Sequence, residues 1–563
     1  MKTRRIEAIV LFGLAAMAFS CVSSNTQKEA VEDEQISEII VQNEQMPLVE
    51  TVPMRYEEVQ RMDLEEHKMV VVREQEISSP SMAINYDAVQ EEEYNTTMEN
   101  SFKYTQDAPL STFSIDVDVA SYSNMRRFIN QGQLPPADAI RTEELINYFS
   151  YGYEKPAGKD PVKISAEAGE CPWDASHRLV RIGIKAKEIA SEKLPASNLV
   201  FLIDVSGSME GPTRLGLVKS SLKLLINNLR EKDRVAIVVY AGSAGEVLPS
   251  TSGSNKQKIR EALDNLSAGG STAGGAGIQL AYKIAKKNFI EGGNNRIILC
   301  TDGDFNVGVS SVGGLESLIE KERKSGVFLT VLGYGMGNYK DNKMQTLAEK
   351  GNGNHAYIDH LQEANKVLVG EFGGTIYTVA KDVKLQIEFN PKYVQAYRLI
   401  GYESRLLKDE DFNDDTKDAG EMGAGHNVTA FYEIVPIGVK FNNAGSIDPL
   451  KYQKNKTSKP VALTGSEELL TIKLRYKEPD GNSSKKIELP VTDRQGDNVS
   501  SDFRFAAAVA MFGQLLGDSQ YKGNAGYDKV IALAKTGLNN DEQGYRREFV
   551  RLVETVKGMG KHE

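Results

Sequence analysis

One stretch, residues 198–209 with the sequence N-L-V-F-L-I-D-V-S-G-S-M, limits what this chain can fold into more than any other. Its apolar run, residues 199–203, lies between polar neighbours. Such a run predicts a strand covered on both faces, as inside a parallel sheet. Asp204 ends the run, and Ser206 and Ser208 follow at alternate positions. In extended backbone alternate side chains point the same way. A carboxylate and two hydroxyls would then meet just past a strand's C-terminal end, where open α/β sheets bind ligands. All three are hard oxygen donors, suited to Mg²⁺ rather than to zinc or copper. Taken alone, the pattern has a plainer explanation in which Ser208 caps the following helix.

Two later stretches carry matching chemistry. Gly269-Gly270-Ser271-Thr272 forms a Gly-rich loop ahead of a helical run, and the apolar strand 296–300 ends in Thr301-Asp302-Gly303. On these residues the chain resembles the von Willebrand factor type A domain. The metal-ion-dependent adhesion site of that domain combines D-x-S-x-S, a Thr from a second loop and an Asp from a T-D-G turn. Asp204, Ser206, Ser208, Thr272 and Asp302 fill those positions. The resemblance implies a divalent cation, Mg²⁺ or else Mn²⁺ or Ca²⁺. Ser206, Ser208 and Thr272 would touch it, and Asp204 and Asp302 would largely hold its waters. The competing expectation is a domain of this fold whose site is a relic.

Leu215, Val218, Leu222, Leu225 and Leu229 recur at helical spacing after the first strand. Strand patterns follow at 234–240, 327–332 and 356–358, with a short edge strand at 245–249, and helical patterns at 278–289, at 361–372 and in a helix ending over 347–350. This alternation predicts an α/β fold over residues 195–374, a doubly wound, mostly parallel sheet with helices on both faces. The N-terminal flank, 101–194, reads as α+β, with strands at 111–119, 162–168 and 179–186 and helices at 120–131 and 141–149. On the first of these strands Asp116 and Asp118 are expected on a solvated face, with a second metal site as the alternative. The C-terminal flank, 375–495, is β-rich, with strand patterns at 383–389, 394–400, 428–435, 469–476 and 486–491. The simplest arrangement pairs the two flanks as one β-sandwich with the α/β domain inserted between them. Residues 496–563 read as helices, with Ser501 capping the first and Asp541 preceding another. The stretches I-R-T-E-E-L-I-N-Y-F-S-Y and A-Y-R-L-I-G-Y-E-S-R-L, with the helical tail, resemble the regions around the type A domain in one bacterial family.

At the N-terminus, Lys2, Arg4 and Arg5 precede an apolar run over 8–19, then Ser20 and Cys21. This describes a secretory signal over residues 1–20, too short for a comfortable membrane span. Cys21 after Ala18-Phe19-Ser20 resembles a bacterial lipoprotein signal, although Phe19 stands where small or β-branched residues are usual. The resemblance implies a lipidated Cys21 whose acyl chains anchor the protein to a membrane of the bacterial cell envelope, the outer membrane by expectation. An ordinary secreted protein is the alternative. Residues 22–100 hold 19 Asp and Glu against 5 Lys and Arg, a local −14, so the rest of the chain carries +3 of the overall −11. The segment 21–100 therefore reads as a disordered acidic tether. A nearly neutral globular part offers no basic nucleic-acid patch. Of the three cysteines, Cys171 and Cys300 remain in the globular part, and two buried thiols are expected although the compartment would permit a bridge.

Gly333-Tyr334-Gly335-Met336-Gly337 matches neither a P-loop nor a dinucleotide fingerprint and reads as a tight turn, so no nucleotide is expected. His355, Asp359 and His360 straddle a short strand, where packing and helix capping are the expected roles. G-x-S-x-G and H-E-x-x-H are missing from the sequence, and no histidine neighbours Ser206 or Ser208, so no enzyme is expected. The expectation is a cation-dependent protein-binding module that takes a partner's Asp or Glu carboxylate. The alternative is a periplasmic assembly or stress scaffold using the same site on a client.

Overall fold

The computed structural model describes residues 92–270, 274–304, 312–370, 377–441, 467–479, 481–493, 498–539 and 541–560. The expected signal, Cys21, most of the expected tether and Thr272 lie outside the described residues.

Eight consecutive buried residues, Ser197–Asp204, make an inner strand of a six-stranded sheet. The order is His355–Tyr357, Val327–Gly333, Asn294–Thr301, Ser197–Asp204, Arg234–Tyr240 and Ala244–Ser252. The first five run parallel, and Ala244–Ser252 is an antiparallel edge. Leu199, Phe201 and Ile203 point into one core with the helix Leu215–Asn227 and the helix Lys256–Asp264. Val200 and Leu202 point into the other, with the helices Gly274–Lys287, Val312–Arg323 and Asp341–Lys350. Burial on both faces is why the strands read as unbroken apolar runs, and each such side chain contributes roughly 1.5–3 kcal/mol. Gly277 lets its helix lie close to the sheet, because a Cβ there would fall 2.9 Å from Tyr240 Cβ.

The flanks form two antiparallel sheets that share one core, as expected. The first runs Lys103–Tyr104, Val394–Ile400, Asn427–Pro436, Arg178–Ala186, Val162–Glu170. The second runs Leu406–Leu407, Leu110–Ser114, Thr378–Phe389, Glu468–Lys477, Ser484–Thr492, with Gly420–Gly423 beside Thr378–Phe389. Leu385 pairs with Phe113, and Phe431 pairs with Arg181, so each sheet mixes strands from both sides of the inserted domain. Ile164, Ile182, Leu385, Ile387, Tyr432 and Ile472 interdigitate between the sheets. The outer face of the first sheet, with Leu179, Ile400 and Phe431, is covered by the helices Ala120–Asn130, Thr142–Asn147, Ser501–Leu516, Tyr527–Lys535 and Tyr545–Met559.

Several expectations need correcting. The strand after Leu110 stops at Ser114. Asp118 is buried, and Asp116 and Asp118 both pair with Arg405, at 3.1 and 3.4 Å, so their expected solvated face is an ion-paired one. Ser500, not Ser501, caps the first tail helix by accepting from Phe503 N–H. Helices Lys256–Asp264 and Val312–Arg323 lie where no helix is expected. As expected, Cys171 and Cys300 are buried free thiols.

The inserted domain is joined to the flanks by buried ion pairs. Arg126 meets Asp359 at 2.6 Å, Glu363 at 2.7 Å and Glu548 at 3.1 Å, and it is also held by the Tyr148 hydroxyl. Arg141 meets Asp341 at 2.6 Å. Glu92, at the end of the expected tether, pairs with Arg127 and accepts from Gly337 N–H.

Candidate metal centre

Asp204 closes its strand beside Tyr240, its register partner, with Cys300 opposite Ile203 on the other side. The parallel sheet thus brings three strand ends together. Asp204 is fully buried. Its Oδ1 accepts from Ser206 N–H at 2.9 Å and its Oδ2 from the Thr301 hydroxyl at 3.1 Å. Burial pushes its carboxyl up to about 6, against the pull of the Ser206 hydrogen bonds, and the neighbouring Asp302 pushes the same way. The Ser206 and Ser208 hydroxyls lie 3.0 Å apart, so the alternate spacing does bring them together. No side-chain cap forms on the short helical turn Gly207–Met209.

Asp302, also fully buried, follows the neighbouring strand. Its Oδ1 accepts from Asp304 N–H at 3.2 Å and its Oδ2 from the Asn338 side-chain amide at 3.0 Å. Gly303 carries the turn at φ +91, and a Cβ there would meet Lys340 N at 2.9 Å. The Gly-rich loop is tied to the same place, since Gly207 N–H donates to Gly270 O and Gly269 N–H to Val205 O. Thr272 follows two residues on, outside the described residues.

The structure therefore gathers Asp204, Ser206, Ser208 and Asp302 at one end of the sheet. Sequence reasoning missed the supporting roles of Thr301 and Asn338. Thr301 was visible in the T-D-G turn, whereas Asn338 is distant in sequence and carries no pattern of its own. His355, Asp359 and His360 are not gathered as a site. His355 is buried against Tyr339, and Asp359 serves Arg126. His360 precedes the helix Leu361–Asn365 without capping it through its side chain.

The donors fit a small hard cation. Two buried carboxylates in mutual repulsion and a pair of touching hydroxyls, with no Lys or Arg within ion-pair distance among the described residues, form an electron-rich oxygen cluster. With Thr272, these residues would hold such an ion.

Comparison with known proteins identifies the domain type. Residues 198–369 match the von Willebrand factor type A domain, residues 88–181 a family described as von Willebrand factor, and residues 374–559 the C-terminal region of uncharacterized protein YfbK. The uncharacterized protein YfbK of Escherichia coli is 48% identical over 477 residues, covering 83% of this chain and 81% of that one. The chain belongs to the YfbK family. Together the three family matches span both flanks, the inserted domain and most of the tail of this YfbK-family chain. The magnesium-chelatase 60 kDa subunit of Rhodobacter capsulatus is 31% identical over 144 residues, 25% of each chain. The von Willebrand factor type A structure from Catenulispora acidiphila, 16% identical, covers 72% of this chain and 91% of that one with a TM-score of 0.36. Type A domains mediate protein–protein interactions and commonly bind a divalent metal.

Proposed function

We propose that this protein is a cation-dependent protein-binding module of the bacterial cell envelope, held to a membrane through a lipidated Cys21. The observation that carries the reading is the buried pair Asp204 and Asp302, whose partners are neutral donors and whose mutual repulsion an added cation would relieve. Mg²⁺ fits the hard, largely neutral ligand set, with Mn²⁺ or Ca²⁺ as substitutes. When bound, the cation would supply an electrophilic position for a partner's Asp or Glu carboxylate. Ser206 and Ser208 would offer neutral oxygens, and Asp204 and Asp302 would hold charge close behind them. Thr301 and Asn338 fix the two carboxylates in place. We read the module as non-catalytic, because Ser206 and Ser208 bond to one another and not to a base.

The test is capture of envelope proteins by the immobilised chain, with Mg²⁺ and with chelator. A partner retained with Mg²⁺ and lost both with chelator and in Asp204→Ala is expected. Retention that ignores the chelator and the substitution would overturn the reading. Protease accessibility on intact cells distinguishes a surface-facing binder from a periplasmic scaffold gripping a client.

A further inference from the structure

At the end of the parallel sheet opposite Asp204, the same strand pair carries a charge of a different kind. Arg296 sits near the start of Asn294–Thr301, in register with Leu199 and Phe328. It is 3% exposed, in a strand with every residue buried. Its Nη1 donates to the Thr330 hydroxyl at 2.6 Å, and the Phe328 ring lies 5.7 Å from the guanidinium carbon. Its Nε is buried with no hydrogen-bond partner. Among the described residues no carboxylate stands within ion-pair distance of it. A buried guanidinium without a counterion costs several kcal/mol, and burial pulls Arg296 down to about 10.

Arg296 faces a cavity of about 340 Å³ where the inserted domain meets the sandwich. The other cations of its wall are already matched. Lys350 pairs with Glu320 at 2.8 Å, Arg323 with Asp418 at 3.0 Å, and Arg405 with Asp116 at 3.1 Å and Glu349 at 3.4 Å. Glu421, the charge that most affects Arg296, is held by the Thr378 hydroxyl at 2.7 Å, and burial pushes its carboxyl up toward the neutral form. Arg296 is thus the one arginine or lysine of this wall without an ion-pair partner among the described residues.

We propose that this cavity is a binding site for a small molecule bearing a single carboxylate, gripped by the Arg296 guanidinium. The planar fork of arginine matches a carboxylate in bidentate fashion. A monoanion meets the one unpaired guanidinium, whereas a phosphate dianion would be repelled more strongly by the wall's carboxylates, Asp116, Glu349 and Asp418 among them. At roughly 30 Å³ per water, the chamber has the volume of about ten waters, enough for a metabolite of amino-acid size. The site is separate from the metal centre and does not depend on the reading of that centre.

The test is calorimetric titration of the full chain with acetate, glycine and inorganic phosphate, at fixed ionic strength and with chelator to silence the other end of the sheet. Saturable one-to-one binding of acetate or glycine is expected, tighter than that of phosphate. Arg296→Gln should weaken it at least about tenfold. Arg296→Lys, which keeps the charge and loses the fork, should weaken it by a similar order and serves alone if Arg296→Gln does not fold. No saturable binding of either carboxylate, tighter binding of phosphate, or binding unchanged in Arg296→Lys would each overturn the proposal.

Discussion

Two of the places where the molecule buries carboxylates treat them in opposite ways. Where the inserted domain meets the flanks, Asp359 and Asp341 are set against arginines. Burial alone would push both carboxyls up, but Arg126 and Arg141 outweigh it and hold them below the usual carboxylate range. At the top of the parallel sheet, Asp204 is as deeply buried but meets a backbone N–H and a hydroxyl, and there burial wins. The first arrangement is closed, with its counter-charges built into the chain. The second is left short of positive charge, which is the condition under which an external cation binds tightly. Breaking the first should cost stability under all conditions, and breaking the second only when a cation is present.

The largest effect is expected at Arg126. Arg126→Met leaves Asp359, Glu363 and Glu548 around an apolar side chain, and stability should fall by roughly 3–5 kcal/mol. Denaturant unfolding reads this directly, with or without metal. A loss below about 1 kcal/mol would mean that the network is no more than surface decoration.

Next come the paired aspartates. Wild type should melt higher with Mg²⁺ than with chelator, by a stabilisation of about 2.7 kcal/mol at a hundredfold excess over the dissociation constant. Asp204→Ala and Asp302→Ala should lack this shift, and with chelator they should be as stable as wild type or more so. Thr272→Ala should be milder, since water replaces a neutral ligand. A wild-type melting curve indifferent to millimolar divalent cations would erase the distinction between the two regions.

Glu143 is a third kind of buried carboxylate, with neither arginine nor cation close enough to compensate it. It sits on Thr142–Asn147 against Gly401, whose Cβ would fall 2.5 Å from Glu143 Oε2. Burial first, then Glu403, pushes its carboxyl up to about 8. The folded state favours the neutral form, so the contribution to stability is complete below the unfolded value of about 4.3 and is lost as the pH rises through about 8. Thermal stability should therefore decline from pH 6 to 9. Glu143→Gln should flatten that decline and gain roughly 1–2 kcal/mol above pH 8, given about 1.4 kcal/mol per pKa unit. A wild-type profile flat over that range would show that Glu143 is charged throughout.

This contrast also separates what the sequence reveals from what it hides. Asp204, Ser206 and Ser208 lie within five residues at one strand end, where alternation brings them together, whereas Asp302, just past an equally apolar strand, joins them in the sequence only through the resemblance to the type A domain. The sandwich was legible for the same reason, through alternating runs on both sides of the insertion. The ion pairs were not, because Arg126 reaches Asp359 and Glu548 across 233 and 422 positions, and nothing local marks an arginine as buried. Asp116 and Asp118 were misjudged on the same account. Their alternation signals a polar strand face, but it cannot report that Arg405 arrives from the other flank to cover it. The helix Lys256–Asp264 escaped because it buries only Ile259 and Leu263, too few apolar positions to set a period.

The smallest expected effect lies where the two regions approach one another. Asn338 donates to Asp302 Oδ2, while its neighbour Gly337 donates to Glu92, the partner of Arg127. One short loop therefore touches both a cation-seeking carboxylate and a closed ion pair. Asn338→Ala removes the donor that aims Asp302 and leaves the Gly337 contact to Glu92 in place. With chelator its stability should stay within about 0.5 kcal/mol of wild type, as for a half-buried polar residue away from any core. Its apparent Mg²⁺ affinity, read from the metal dependence of melting, should fall by about tenfold, the lower end of the cost of removing a partner that orients a ligand. If the chelated protein were instead destabilised by the loss and the Mg²⁺ shift kept, Asn338 would belong to the closed region, and the boundary between the two would have to be drawn nearer to Asp302.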